Sequence, residues 1–159
     1  MASTLELDDR GVIVTCANCA TKNRLTFERL GDAVQCGKCK QPITSPAEPI
    51  EVRSTADFDR LVAASSLPVL VDYWAPWCGP CRMVAPELQK VAARQAGQAI
   101  VVKVNTDELS DLGQRHGIRS IPTLAVFAGG KEVTRESGAR PAAEIEAFIA
   151  KARAAAPTR

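Results

Sequence analysis

The chain has 159 residues, room for one ordinary domain and a small module, and 46 % of them are hydrophobic, enough for a packed core. A formal charge of +2 sets up no field that points to a nucleic-acid or membrane partner. No apolar run reaches the length that spans a bilayer, and the start, MASTLELDDRGVIVTC, lacks the basic-then-apolar order of a secretory signal and carries acidic residues that a transit peptide avoids. A soluble, cytoplasmic protein is expected. In that reducing compartment six cysteines point to metal ligands or redox catalysts rather than structural disulfides.

Residues 1–40 hold the first four cysteines. Cys16-x2-Cys19 and Cys36-x2-Cys39 stand sixteen residues apart, the spacing of a four-cysteine zinc site. Each short turn points two sulfurs at one ion, and the loop between the turns closes the tetrahedron. Four thiolates leave no position open for water, so the expected Zn2+ is structural and supplies much of the folding free energy of the module. A stretch of about 40 residues buries too little surface to fold without such help. Gly31 and Gly37 suit tight turns, while Val12, Ile13, Val14 and Val34 give short flanking strands something to pack. Three alternatives stand beside zinc. Two structural disulfides suit a reducing compartment poorly. A second redox pair lacks the following amphipathic helix that stabilises a thiolate. A nucleic-acid-binding ribbon needs more aromatics than Phe27 and a larger excess than six basic over five acidic residues in 1–40. No nucleic-acid partner is expected.

Residues 41–49, QPITSPAEP, show no helical or strand periodicity, and Pro42, Pro46 and Pro49 favour an extended, semi-rigid linker. Residues 50–159 then form the second domain. Ser54 to Asp57 reads as a capping box opening a helix through about Ala64. The run PVLVDYW at 68–74 predicts a strand buried on both faces. Gly79-Pro80 leads into a helix ending near Gln95, in which Pro86 is expected to kink the helix or remove one hydrogen bond. IVVKV at 100–104 predicts a second buried strand, and residues 109–116 a short helix stopped by Gly117. Strands at 123–127 and 132–136 join through Ala128-Gly129-Gly130-Lys131, a hairpin signal. Pro141 opens a last helix with Ile145, Phe148 and Ile149 on one face, and the tail AKARAAAPTR is expected to fray. The order β-α-β-α-β-α-β-β-α predicts an α/β layer with a mixed sheet whose final pair is antiparallel.

Cys78 and Cys81, in WCGPC, sit in a different setting from the first four cysteines. They follow a buried strand and lie at a helix N-terminus, where free N–H groups and the helix dipole stabilise an anion. The thiolate is the nucleophile, so Cys78 is expected to be reactive near neutral pH, with Cys81 more shielded one turn on. Asp72 is the lone charge of its strand. It is either a buried carboxylate with a raised pKa or a partly exposed strand-end residue. His116, the only histidine, reads as a surface cap at a helix end, which argues against a Cys/His hydrolase.

The run VDYWAPWCGPCRMVAPEL closely resembles the active-site segment of thioredoxins. The resemblance continues through VVKVNTDE, GIRSIPTLAVF, Gly129-Gly130 and Gly138, over roughly residues 50 to 153. With the four-cysteine module in front, the chain resembles the zinc-containing bacterial thioredoxins, the thioredoxin 2 type. That resemblance implies a thioredoxin fold, a central mixed sheet flanked by helices, behind a zinc ribbon. It implies a protein-disulfide reductase in which Cys78 attacks the disulfide of a client protein and Cys81 resolves the mixed disulfide. The dithiol would be restored by a flavin- and NADPH-dependent thioredoxin reductase, with no organic cofactor bound to this chain and a monomer expected. Asp72 would help move the Cys81 proton, and Lys103 resembles the lysine beside that aspartate, though an ordinary solvated lysine explains it as well. Trp77, Gly79, Pro80, Ile121, Pro122 and Gly138 would form the client groove, while Trp74 packs below. The resemblance implies a cis bond before Pro122, where sequence alone favours trans. Ser137 departs from the aliphatic residue usual before Gly138, which leaves the character of that groove wall open. The zinc thiolates would also let oxidation release the metal.

Overall fold

The computed structural model describes residues 5–156. The first residues of the N-terminal segment read above, and residues 157–159 of the tail, lie outside them. Strands β1 (Glu6–Leu7), β2 (Gly11–Thr15) and β3 (Lys22–Thr26) form a three-stranded antiparallel sheet, and a 3-10 turn follows at Phe27–Arg29. Strands β4 (Val34–Gln35) and β5 (Pro42–Ile43) make a second, two-stranded antiparallel sheet. The predicted linker is therefore partly a strand. Pro42 opens β5, the first residue of an edge strand in a two-stranded sheet, where a proline is tolerated. The two Cys-x-x-Cys turns are built alike. Ala20 N–H donates to the Cys16 carbonyl at 2.9 Å and Lys40 N–H to the Cys36 carbonyl at 3.1 Å, with Ala20 and Lys40 both left-handed at φ 62° and 66°. The left-handed positions thus follow each pair, rather than falling at Gly31 or Gly37.

Strand β6 (Ile50–Glu51) starts the main sheet, and α1 (Thr55–Ala64) follows, its Ser54 hydroxyl accepting the Asp57 N–H at 3.1 Å. Next come β7 (Val69–Trp74), α2 (Gly79–Arg94), β8 (Ile100–Asn105), α3 (Ser110–Arg115), β9 (Thr123–Ala128), β10 (Lys131–Ser137) and α4 (Ala142–Ala155). The sheet order is β10-β9-β7-β8-β6, with β6, β8 and β7 parallel, β9 antiparallel to β7, and β10 antiparallel to β9. Gly129 and Gly130, at φ 63° and 84°, make the two-residue hairpin turn that β9 and β10 require. Pro86 lies inside α2 without interrupting it. The alanine-rich tail stays helical through Ala155, because Ala152 is buried in the core and Arg153 donates to the Gln98 carbonyl at 2.7 Å.

Alternation along β7 and β8 divides the core between the two sheet faces. Val69, Val71, Tyr73, Val102 and Val104 face α1 and α3, meeting Phe58, Leu61 and Leu112. Leu70, Val101, Leu124 and Val126 face α2 and α4, meeting Val84, Leu88, Ile145 and Ile149. The first cluster does not stop at the domain edge. Val12, Val14, Leu25, Phe27 and Leu30 of the N-terminal module belong to it, and Ser66 N–H donates to the Phe27 carbonyl at 3.0 Å. A module too small for its own core extends that of its neighbour.

Candidate active site and metal centre

Cys78 ends the loop after β7 and caps α2: its Sγ accepts the Cys81 N–H at 3.2 Å. Free N–H groups of a first helical turn are what a sulfur anion needs. Cys78 and Cys81 are joined as a disulfide, with their Cα atoms 5.2 Å apart. Their exposures are 4 % and 3 %, so the expected difference in shielding is absent from the disulfide form. The bridge ties both sulfurs to one position. Cys78 Sγ lies 3.8 Å from the Ile121 carbonyl oxygen, and the Ile121–Pro122 bond is cis. Gly138, at φ 101°, donates its N–H to the Pro122 carbonyl at 2.8 Å, and a Cβ there would meet only open space. Next to it Ser137 Oγ lies 3.1 Å from Ser120 Oγ and 3.3 Å from Thr123 Oγ1, so this wall is a hydroxyl cluster.

Trp77 is 68 % exposed and donates Nε1–H to Asp107 at 3.1 Å. It borders a cleft of about 310 Å3 that continues past Ile118, Arg119 and Ile121. Gly79 and Pro80 are exposed in the first turn of α2. Asp107 is a residue that sequence reasoning missed. It lies in the turn after β8, and Asn105 Oδ1, accepting the Asp107 N–H at 2.9 Å, fixes that turn. The signal was an Asx turn in NTDE.

Asp72 is fully buried, and neither carboxylate oxygen has a hydrogen-bond partner among the described residues. Burial pushes its pKa up to about 7, against lowering by Lys103, with Glu51 adding to the rise. Lys103 stands opposite Asp72 in the β7–β8 pairing, yet its Nζ sits 4.3 Å from the centroid of the Trp74 ring. Trp74 is half-buried beneath it and donates Nε1–H to Glu51 Oε2 at 3.1 Å. His116 caps the C-terminal end of α3 as expected, but it does not lie free at the surface. Its half-buried ring packs 5.7 Å from Phe58 and from Phe127 and 6.2 Å from Tyr73, and none of the cysteines is among its partners.

The sulfurs of Cys16, Cys19, Cys36 and Cys39 all lie within 4.8 Å of one another, and the four are free thiols. Cys16 and Cys39 are 3.7 Å apart, Cys19 and Cys36 3.6 Å. Four sulfurs at about 2.3 Å from one tetrahedral ion stand about 3.8 Å apart, whereas a disulfide needs about 2.05 Å. The donor set therefore fits zinc. The Cys39 N–H, then the Asn23 amide and the Lys38 N–H, hold the Cys36 thiol down to about 6, which favours the thiolate a metal binds.

The Thioredoxin family model matches residues 49–151, and the model of the N-terminal zinc ribbon of Thioredoxin 2 matches residues 15–41. Thioredoxin C-3 of Corynebacterium nephridii is 39 % identical over 138 residues, spanning 87 % of this chain and 93 % of that protein. The thioredoxin of Synechocystis sp. is 49 % identical over 98 residues, 62 % of this chain and 92 % of its own. Among solved structures, a mutant thioredoxin from Halobacterium salinarum superposes with a TM-score of 0.62 at 31 % identity, covering 72 % of this chain and 96 % of the other.

Proposed function

The chain belongs to the thioredoxin family, and from that premise we propose which of its residues carry the exchange of thiols and disulfides. The chemistry itself is that of a thioredoxin-type disulfide oxidoreductase. The Cys78 thiolate attacks one sulfur of a client disulfide, forming a mixed disulfide and releasing the other client sulfur as a thiolate. Cys81 loses its proton to Asp72, and its sulfur attacks Cys78 Sγ. The bond from Cys78 to the client breaks, and the second client thiolate leaves. Two electrons pass from the Cys78–Cys81 dithiol to the client, whose two thiolates take up protons as the dithiol becomes a disulfide.

The client segment lies over Trp77, Gly79 and Pro80 and along Ile121, Pro122 and Gly138. The open space beside Gly138 and the Ile121 carbonyl close to Cys78 support this reading. Lys103 tempers the Asp72 carboxylate. A thioredoxin reductase drawing on NADPH restores the dithiol, and the chain works as a cytoplasmic monomer. No helix among the described residues is long and apolar enough to cross a membrane. Cys16, Cys19, Cys36 and Cys39 hold one structural Zn2+, which contributes folding free energy and takes no part in the exchange. Residues 1–40 and 50–159 are the metal-binding and redox units, with 41–49 between them.

The observation that carries the reading is the Cys81 N–H directed at Cys78 Sγ on a helix N-terminus. Cys81→Ser tests it. With the resolving thiol gone, the variant accumulates client proteins joined through Cys78, released by dithiothreitol and absent from the Cys78→Ser control. A Cys81→Ser variant that traps nothing from a disulfide-rich client mixture contradicts it.

A further inference from the structure

Across the three parallel strands β6, β8 and β7, Glu51 pairs with Lys103 and Lys103 pairs with Asp72. Residues in one row point to one face of a sheet, so these three form an acid–base–acid row on the face that Leu70, Val101 and Leu124 line toward α2. One ammonium thus serves two carboxylates. Their arrangement around it is unequal. Glu51 accepts the Trp74 Nε1–H at 3.1 Å, and the same indole carries Lys103 Nζ 4.3 Å from its centroid. Asp72, the more deeply buried acid, has no hydrogen bond among the described residues.

We propose that Glu51 is a positioning residue: by fixing the Trp74 indole beneath Lys103 and sharing that ammonium with Asp72, it sets the pH at which Asp72 takes up and returns the Cys81 proton. This rests on the reading of Asp72 as the acceptor of that proton. The charge of Glu51 acts on Asp72 in the required direction, opposing its ionisation while Lys103 favours it. Burial lifts the Glu51 carboxyl itself, against lowering by the Trp74 hydrogen bond and by Lys103. The other charges that act on Glu51 are Glu108, after β8, which opposes its ionisation, and Arg53, after β6, which favours it. From the helices on the same face, Arg82 is exposed, Glu87 pairs with Lys90, and Glu146 pairs with Arg94. β9 contributes Leu124, which carries no charge.

Glu51→Gln keeps an oxygen to accept the Trp74 N–H and removes only the charge. Asp72 then has the whole of Lys103 and no neighbouring anion, so it ionises at lower pH. The measurement is the 13C carboxyl titration of Asp72 in the reduced full-length chain, assigned by its loss in Asp72→Asn, with the pH–rate profile of single-turnover client reduction beside it. Glu51→Gln is expected to move both downward by roughly half to one pH unit. Lys103→Met is expected to move both upward, a reversal that a merely structural effect on packing does not produce. If Asp72→Asn abolishes the rate limb near neutrality while Glu51→Gln leaves limb and titration unmoved, the role of Glu51 is wrong and that of Asp72 stands. If Asp72→Asn keeps the limb, the Asp72 reading fails and the inference fails with it.

Discussion

Asp72 has no exposure, no hydrogen bond among the described residues and a lysine diverted onto an indole, so burial favours its neutral form and leaves the carboxylate accessible only near and above neutrality. The linkage has a definite sign. Its pKa in the fold, about 7, lies above the ordinary 3.8, so the stability of the neutral group is fully present below about pH 4 and is lost as pH rises through 7. Asp72→Asn copies the neutral group. At pH 8 the variant is expected to be more stable than the parent by up to about 4 kcal/mol, and at pH 4 to be equal to it. Urea unfolding at the two pH values measures this, and an equal effect at both contradicts the buried-acid account. Asp72 was legible as the lone charge in an apolar strand. Glu51 was not, because a glutamate in a two-residue strand has no periodic frame to make it conspicuous. Only the register with β8 reveals it.

At the scale of elements, long apolar runs announced themselves: β7, β8 and β9 fall within a residue or two of the sequence reading. Strands of two residues, such as β5 and β6, carry no alternation and are defined by their partners alone. Helix α4 outlasts its expected fraying for a tertiary reason, the burial of Ala152. The short α3 ends in His116, whose ring enters an aromatic cluster joining α1, β7 and β9. A lone histidine gave no sign of that, since its neighbours come from three separate segments. Burial lowers its pKa from the ordinary 6.5, with Arg115 and Arg135 adding to the fall and Glu132 and Asp59 opposing it. A depressed value means stability that is present above pH 6.5 and lost as pH falls through the folded value. His116→Phe is therefore expected to flatten the loss of thermal stability between about pH 7 and pH 5. A variant whose melting temperature falls with acid as steeply as the parent's contradicts that assignment.

For the molecule as a whole, the six cysteines fall into two settings that share one spacing. Four converge in short-stranded turns with their sulfurs within 4.8 Å of one another, and two lie at a helix N-terminus, Cys78 as its cap and Cys81 in its first turn, and bond to each other. The spacing showed the pairs, and flanking residues separated their settings: a strand follows each of the first two pairs, a helix the third. What could not be read was the join. Phe27 and Leu30 are buried against the redox domain, in a core continuous through Ile50 and Phe58. No local pattern encodes such a contact between segments about 30 residues apart. The division of labour is tested most directly by metal content and thiol kinetics together, on the reduced chain purified without chelator. One tightly held zinc per chain, two thiols that react fast and four that react only after the metal is removed are predicted. A chain with no metal and six equally titratable thiols would contradict the account at its centre.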